Sequence, residues 1–112
     1  MTKYESEEHR QIKAYLSFKA ILPGDIREIT CTESDQGWCR FRLKSGSVLA
    51  CEQPANEKIK EGETISLVCS RVEIGRNGYG LFVDYVFMAS RLNHTVRING
   101  PDAQALKEGE RK

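Results

Sequence analysis

Trp38, Arg40 and Arg42 stand on alternate residues in the stretch Trp-Cys-Arg-Phe-Arg-Leu. An indole stacks on a nucleobase, and a guanidinium group forks onto a phosphate or lies over a π-face. Side chains switch sides at each residue of a strand, so a strand here puts all three on one face. Lys44 follows at the same spacing. A second cluster, Arg76, Asn77 and Tyr79, joins a cation, a turn former and an aromatic within four residues. These seven residues suit the binding of single-stranded nucleic acid by stacking and phosphate contact.

Catalytic chemistry finds less support. His9 and His94 fall in the charged start and the C-terminal segment, and no cysteine adjoins a histidine. Gly75-x-x-Gly78-x-Gly80 lacks the following helix that a phosphate loop needs. The chain reads as a binding protein, not an enzyme. Cys31, Cys39, Cys51 and Cys69 form no Cys-x-x-Cys pair and match no common zinc spacing, so neither metal nor cofactor is expected. They read as reduced thiols serving as small strand hydrophobes. A Cys31–Cys39 disulfide is the alternative if the two are cross-strand neighbours, and a reducing cytoplasm disfavours it.

The chain has 112 residues, 39% hydrophobic and 29% charged, which predicts one globular domain. The net charge of +1 excludes a strongly basic, sequence-blind duplex binder. It leaves a binder whose cations gather on one face. No apolar run approaches a membrane span, and the polar first ten residues do not resemble a signal peptide. A cytoplasmic protein that does not meet a membrane is the expectation.

The elements that must position these residues are mainly strands. Residues 1–10 form a charged arm, 11–98 the single domain and 99–112 a polar, flexible tail. Ser6-Glu7-Glu8 reads as a helix cap, but residues 7–22 alternate as well as they repeat at helical spacing, so helix and strand both remain open. If that segment is a strand, Lys13, Tyr15 and Lys19 add a second basic-aromatic strip. Ile26 to Thr32 reads as a strand, 33–37 as a turn and Trp38 to Leu43 as its partner. That folding sets Cys31 near Cys39, Thr30 near Arg40 and Glu28 near Arg42. Lys44-Ser45-Gly46-Ser47 turns into a strand from Val48 to Cys51, with Leu43 opposite Val48 and Phe41 opposite Ala50. Pro54 to Lys60 is a polar connector. Ile65, Leu67 and Cys69 share a face, while Val72 and Ile74 have the opposite parity, which predicts a bulge near Ser70-Arg71. Asn77-Gly78 predicts a tight hairpin with Arg76 opposite Tyr79 and Arg71 opposite Asp84. The strand Tyr79 to Met88 is apolar on both faces, and Thr95 to Ile98 adds a short edge strand.

Five strands at this spacing predict a small Greek-key barrel. Phe41-Arg42-Leu43-Lys44-Ser45-Gly46-Ser47-Val48-Leu49-Ala50, followed by Ile59-Lys60-Glu61-Gly62-Glu63-Thr64-Ile65-Ser66-Leu67, resembles the pattern of bacterial translation initiation factor one and S1-type RNA-binding domains. Val72 to Asp84 resembles the last hairpin of filamentous-phage single-stranded DNA-binding proteins. Both are OB-fold-type (oligonucleotide/oligosaccharide-binding) resemblances, and they cover about residues 26 to 88. They imply a strand-binding face at Trp38, Arg40, Arg42 and Leu49, flanked by loops with Gln36, Lys44, Arg76, Asn77 and Tyr79. The Trp-Arg-Arg face and the Arg-Asn-Gly hairpin make single-stranded nucleic acid the expected partner, DNA in preference to RNA. The alternative is a protein-interaction module, an adaptor or inhibitor, whose homo-oligomer or partner interface is formed by Phe82, Val86 and Met88.

Overall fold

The computed structural model describes residues 21–109. The features expected in residues 1–20, namely the charged arm, the helix-or-strand segment, His9 and the Lys13–Tyr15–Lys19 strip, lie outside the described residues. The described chain is mainly β, built as two antiparallel sheets and one short helix. The strands are β1 (Ile26–Thr30), β2 (Glu33–Asp35), β3 (Trp38–Arg42), β4 (Val48–Glu52), β5 (Thr64–Asn77), β6 (Gly80–Ala89), β7 (His94–Asn99) and β8 (Lys107–Glu108). The helix α1 (Gly100–Gln104) lies between β7 and β8. One sheet runs β7-β6-β5-β1-β8 and the other β2-β3-β4.

The first strand divides between the sheets. β1 pairs with β5, Ile29 opposite Ile65. Two residues past the end of β1, Thr32 donates its backbone N–H to the carbonyl of Arg40 at 2.8 Å, and the chain has joined the other sheet. The expected five-residue turn is therefore mostly strand. Only Gln36 and Gly37 lie between the paired Asp35 and Trp38, and Gly37 supplies the positive φ of +83°. The register moves with it: Ser34, not Cys31, faces Cys39, and Glu33, not Thr30, faces Arg40.

The bulge is where the parity change predicts it, between Cys69 and Arg71. It returns Val72 and Ile74 to the face of Ile65, Leu67 and Cys69, because one extra residue reverses side-chain parity. The inner faces of both sheets enclose the core. Phe41, Cys39 and Cys51 meet it from the smaller sheet; Ile65, Leu67, Tyr85, Phe87 and Ile98 meet it from the larger. Ile59, fully buried, enters it from the 53–63 connector.

The sheets do not close into the five-stranded barrel the spacing predicts. β6 already has β5 on one side and β7 on the other, so no edge remains for β4. The polar C-terminal stretch is also more than a tail. Asn99 caps α1 by accepting from the Asp102 N–H at 2.9 Å, Pro101 occupies the first turn, and β8 then pairs with β1. Asp102 and Ala103 are buried.

Candidate nucleic-acid interface

β3 alternates as its sequence demands. Cys39 and Phe41 are buried, while Trp38, Arg40 and Arg42 are exposed, the indole by 46%. The outer face thus presents the three expected side chains in a row. What flanks them differs from expectation, because the β3–β4 register is one residue off the predicted one. Arg42 faces Val48, Arg40 faces Ala50 and Trp38 faces Glu52. A one-residue slip exchanges faces, so Val48 and Ala50 are outside and Leu49 packs against the core. The cause is the loop. Leu43 leaves the strand to accept from the Gly46 N–H and to donate to the Ser47 carbonyl, and Gly46 takes φ +95°. Five residues, 43–47, then separate the paired Arg42 and Val48.

On the other flank, β2 sets Asp35 opposite Trp38 and Glu33 opposite Arg40. The indole therefore lies between two carboxylates, Asp35 and Glu52. Arg40 is engaged by Glu33 at 3.4 Å. Arg42 and Lys44 make no ion pair among the described residues. The expected Arg42 partner, Glu28, is instead 3.5 Å from Lys107. Among the described residues Arg42 and Lys44 are thus cations without a carboxylate partner, and Arg40 has one.

Gln53 holds this face in place and carries no signal in the sequence that separates it from a loop residue. Its Nε2 donates to the carbonyls of Trp38 (2.8 Å) and Asp35 (2.9 Å) and approaches the Ser34 hydroxyl (3.1 Å). Its Oε1 accepts the Ile59 N–H at 2.8 Å. Ser34 in turn donates to the Ile59 carbonyl. One buried amide thus ties the β2–β3 turn to the connector.

The second cluster is at the tip of the β5–β6 arm, on the other sheet. Asn77 faces Gly80, leaving Gly78 and Tyr79 between them, two residues beyond the expected register. The positive φ falls on Gly80 (+118°) and not on Gly78, and the Asn77 side chain accepts the Tyr79 N–H at 2.8 Å. A shift of two keeps each side chain on its face. Arg76 is exposed and faces Leu81, and Tyr79 is wholly exposed. Arg71 pairs with Glu73 (2.9 Å), not with Asp84, and Arg97 reaches both Glu73 and Asp84.

Of the expected interface residues, Val86 is 3% exposed, set in register between Arg71 and Arg97. Phe82 is half-buried, opposite Gly75. Met88 is exposed and faces the exposed Val68. The four cysteines are free and buried. Cys39 faces Cys51, and burial pushes both thiols up to about 11, Cys39 also through its neighbours Cys51 and Cys31. Among the described residues, the hydrogen-bond partners of the His94 ring are backbone carbonyls, of Thr95 and Glu52. Among the described residues no three His, Cys, Asp or Glu side chains gather as a metal would need, and no helix is long and apolar enough to cross a membrane. Compared with known protein families, curated proteins and solved structures, the chain has no match.

Proposed function

We propose that this protein binds single-stranded nucleic acid, DNA in preference to RNA, without catalysing a reaction, on the outer face of β2-β3-β4. One observation carries the reading: a half-exposed indole stands in line with Arg42 along β3, and neither Arg42 nor Lys44, in the loop that follows, is engaged by a carboxylate among the described residues. Trp38 is the stacking platform, and Arg42 and Lys44 take phosphates. Tyr79 and Arg76 offer a further aromatic and cation at the arm tip, with Asn77 shaping the turn. Stacking contributes roughly 1–3 kcal/mol per base. Two to four phosphate contacts give a salt slope of about −1.4 to −2.8.

The topology supports kinship with OB-type binders. β3 and β4 follow the first strand by hairpins, and β5 returns beside it, as in a Greek key. OB folds are partly open Greek-key barrels that bind strands on the corresponding face. The test is affinity for a fluorescein-labelled dT oligonucleotide and its RNA counterpart. Trp38→Ala and Arg42→Ala are each expected to weaken binding about fivefold or more while the fold persists. Wild-type affinity in both variants overturns the site.

A second reading, a protein-interaction module, is favoured by one feature. Val68 and Met88, cross-strand partners, are 37% and 42% exposed on the outer face of the larger sheet. A monomer in sedimentation that also binds the oligonucleotide decides against it.

A further inference from the structure

A cleft of about 490 Å³ opens where β1, the β3–β4 loop and the C-terminal turn meet. Arg42 and Lys44 enter it from β3 and its loop, and Lys107 from β8. Resting on the nucleic-acid reading above, we infer that this cleft is a phosphate subsite, which receives the backbone of the bound strand as it leaves Trp38.

Charge and construction support the assignment. Three cations line the cleft against two acids, Glu28 and Asp102. Asp102 is 3% exposed, and its carboxylate is committed to local donors: Oδ1 accepts the Ser45 N–H (3.3 Å) and Oδ2 the Asn99 amide (3.0 Å). Glu28 engages Lys107 at 3.5 Å. Among the described residues Arg42 and Lys44 therefore have no carboxylate to balance them, and an incoming phosphate supplies that charge. The Asp102–Ser45 bond also ties the loop that carries Lys44 to α1, so the subsite has a fixed wall. Lys107 reaches it only because β8 pairs with β1, Lys107 opposite Glu28. The cleft begins at Arg42, the end of the β3 row Trp38–Arg40–Arg42, where a strand stacked on Trp38 continues.

Two substitutions of opposite sign test it. Lys107→Ala is expected to weaken binding of a labelled dT oligonucleotide about threefold at low salt and to lower the salt slope by about 0.7. Glu28→Gln removes the competing anion and is expected to tighten binding about threefold. A role of Lys107 in the fold alone would not make Glu28→Gln a tighter binder. Wild-type affinity and slope in both variants, with binding still lost in Trp38→Ala, overturn the subsite and leave the nucleic-acid reading standing. If the wild-type protein does not bind the oligonucleotide, that reading falls, and inorganic phosphate decides the cleft alone. Shifts of the Lys44 and Lys107 amide signals at millimolar phosphate, larger in Glu28→Gln, retain an anion site; unmoved signals overturn it.

Discussion

Gln53 shows how much one buried amide can hold. Removing it leaves the buried Ile59 N–H and the part-buried Asp35 and Trp38 carbonyls without their partner. An unsatisfied buried group costs roughly 1–3 kcal/mol. Gln53→Ala is therefore expected to lower stability by about 2–3 kcal/mol in urea unfolding. It should also loosen the Trp38 turn, read as a red shift of the indole emission. The thiols make a second prediction at this scale. Cys39 and Cys51 titrate near 11 in the fold against an ordinary 9.0, so the folded state keeps protons that the unfolded chain loses. Their contribution to stability is whole below pH 9 and is lost as pH rises toward 11. Denaturant melts between pH 8 and 11 should show the decline, and Cys39→Ala/Cys51→Ala should flatten it. The burial of Cys39 and Phe41 and the exposure of Trp38, Arg40 and Arg42 were legible in the sequence, because alternation is a local property. Gln53 was not, because only tertiary contact distinguishes a buried glutamine from one in a loop.

At the scale of elements, register was harder to read than element type. β1, β3, β4, β5, β6 and β7 lie close to where hydrophobic alternation puts them, and the bulge follows from parity alone. The pairings depended on loop geometry. Gly46 at φ +95° sets a five-residue loop that moves β4 by one residue and turns Leu49 inward. Gly46→Ala forces a side chain into that left-handed conformation and is expected to cost about 1–2 kcal/mol by thermal or chemical unfolding. Gly75 has a different reason to be glycine. A Cβ there would stand 2.4 Å from the ring of Phe82, its cross-strand partner. Gly75→Ala is expected to displace that ring and speed amide exchange along the β5–β6 arm, while amides of β3 and β4 stay as they are.

For the whole molecule, the near-zero net charge hides a local arrangement. Most arginines of the described surface are tied to acids, as in Arg71–Glu73–Arg97 and Arg91–Glu63, whereas Arg42 and Lys44 are not. Composition cannot reveal that, since it counts charges without pairing them. Nor did the sequence reveal that the C-terminal stretch packs on the domain: a two-residue strand and a five-residue helix carry almost no periodic signal. Their effect is large, because they bring Lys107 to the end of the β3 row. In the proposed complex a nucleic-acid strand lies on Trp38, the chain's single tryptophan, so its fluorescence reports that face alone. The most direct measurement is a titration with unlabelled dT oligonucleotide at low and moderate salt, following indole emission. Saturable quenching that weakens with salt, at a slope of about −1.4 to −2.8, is the predicted result. Emission that stays constant at low salt, with the protein folded, would contradict it.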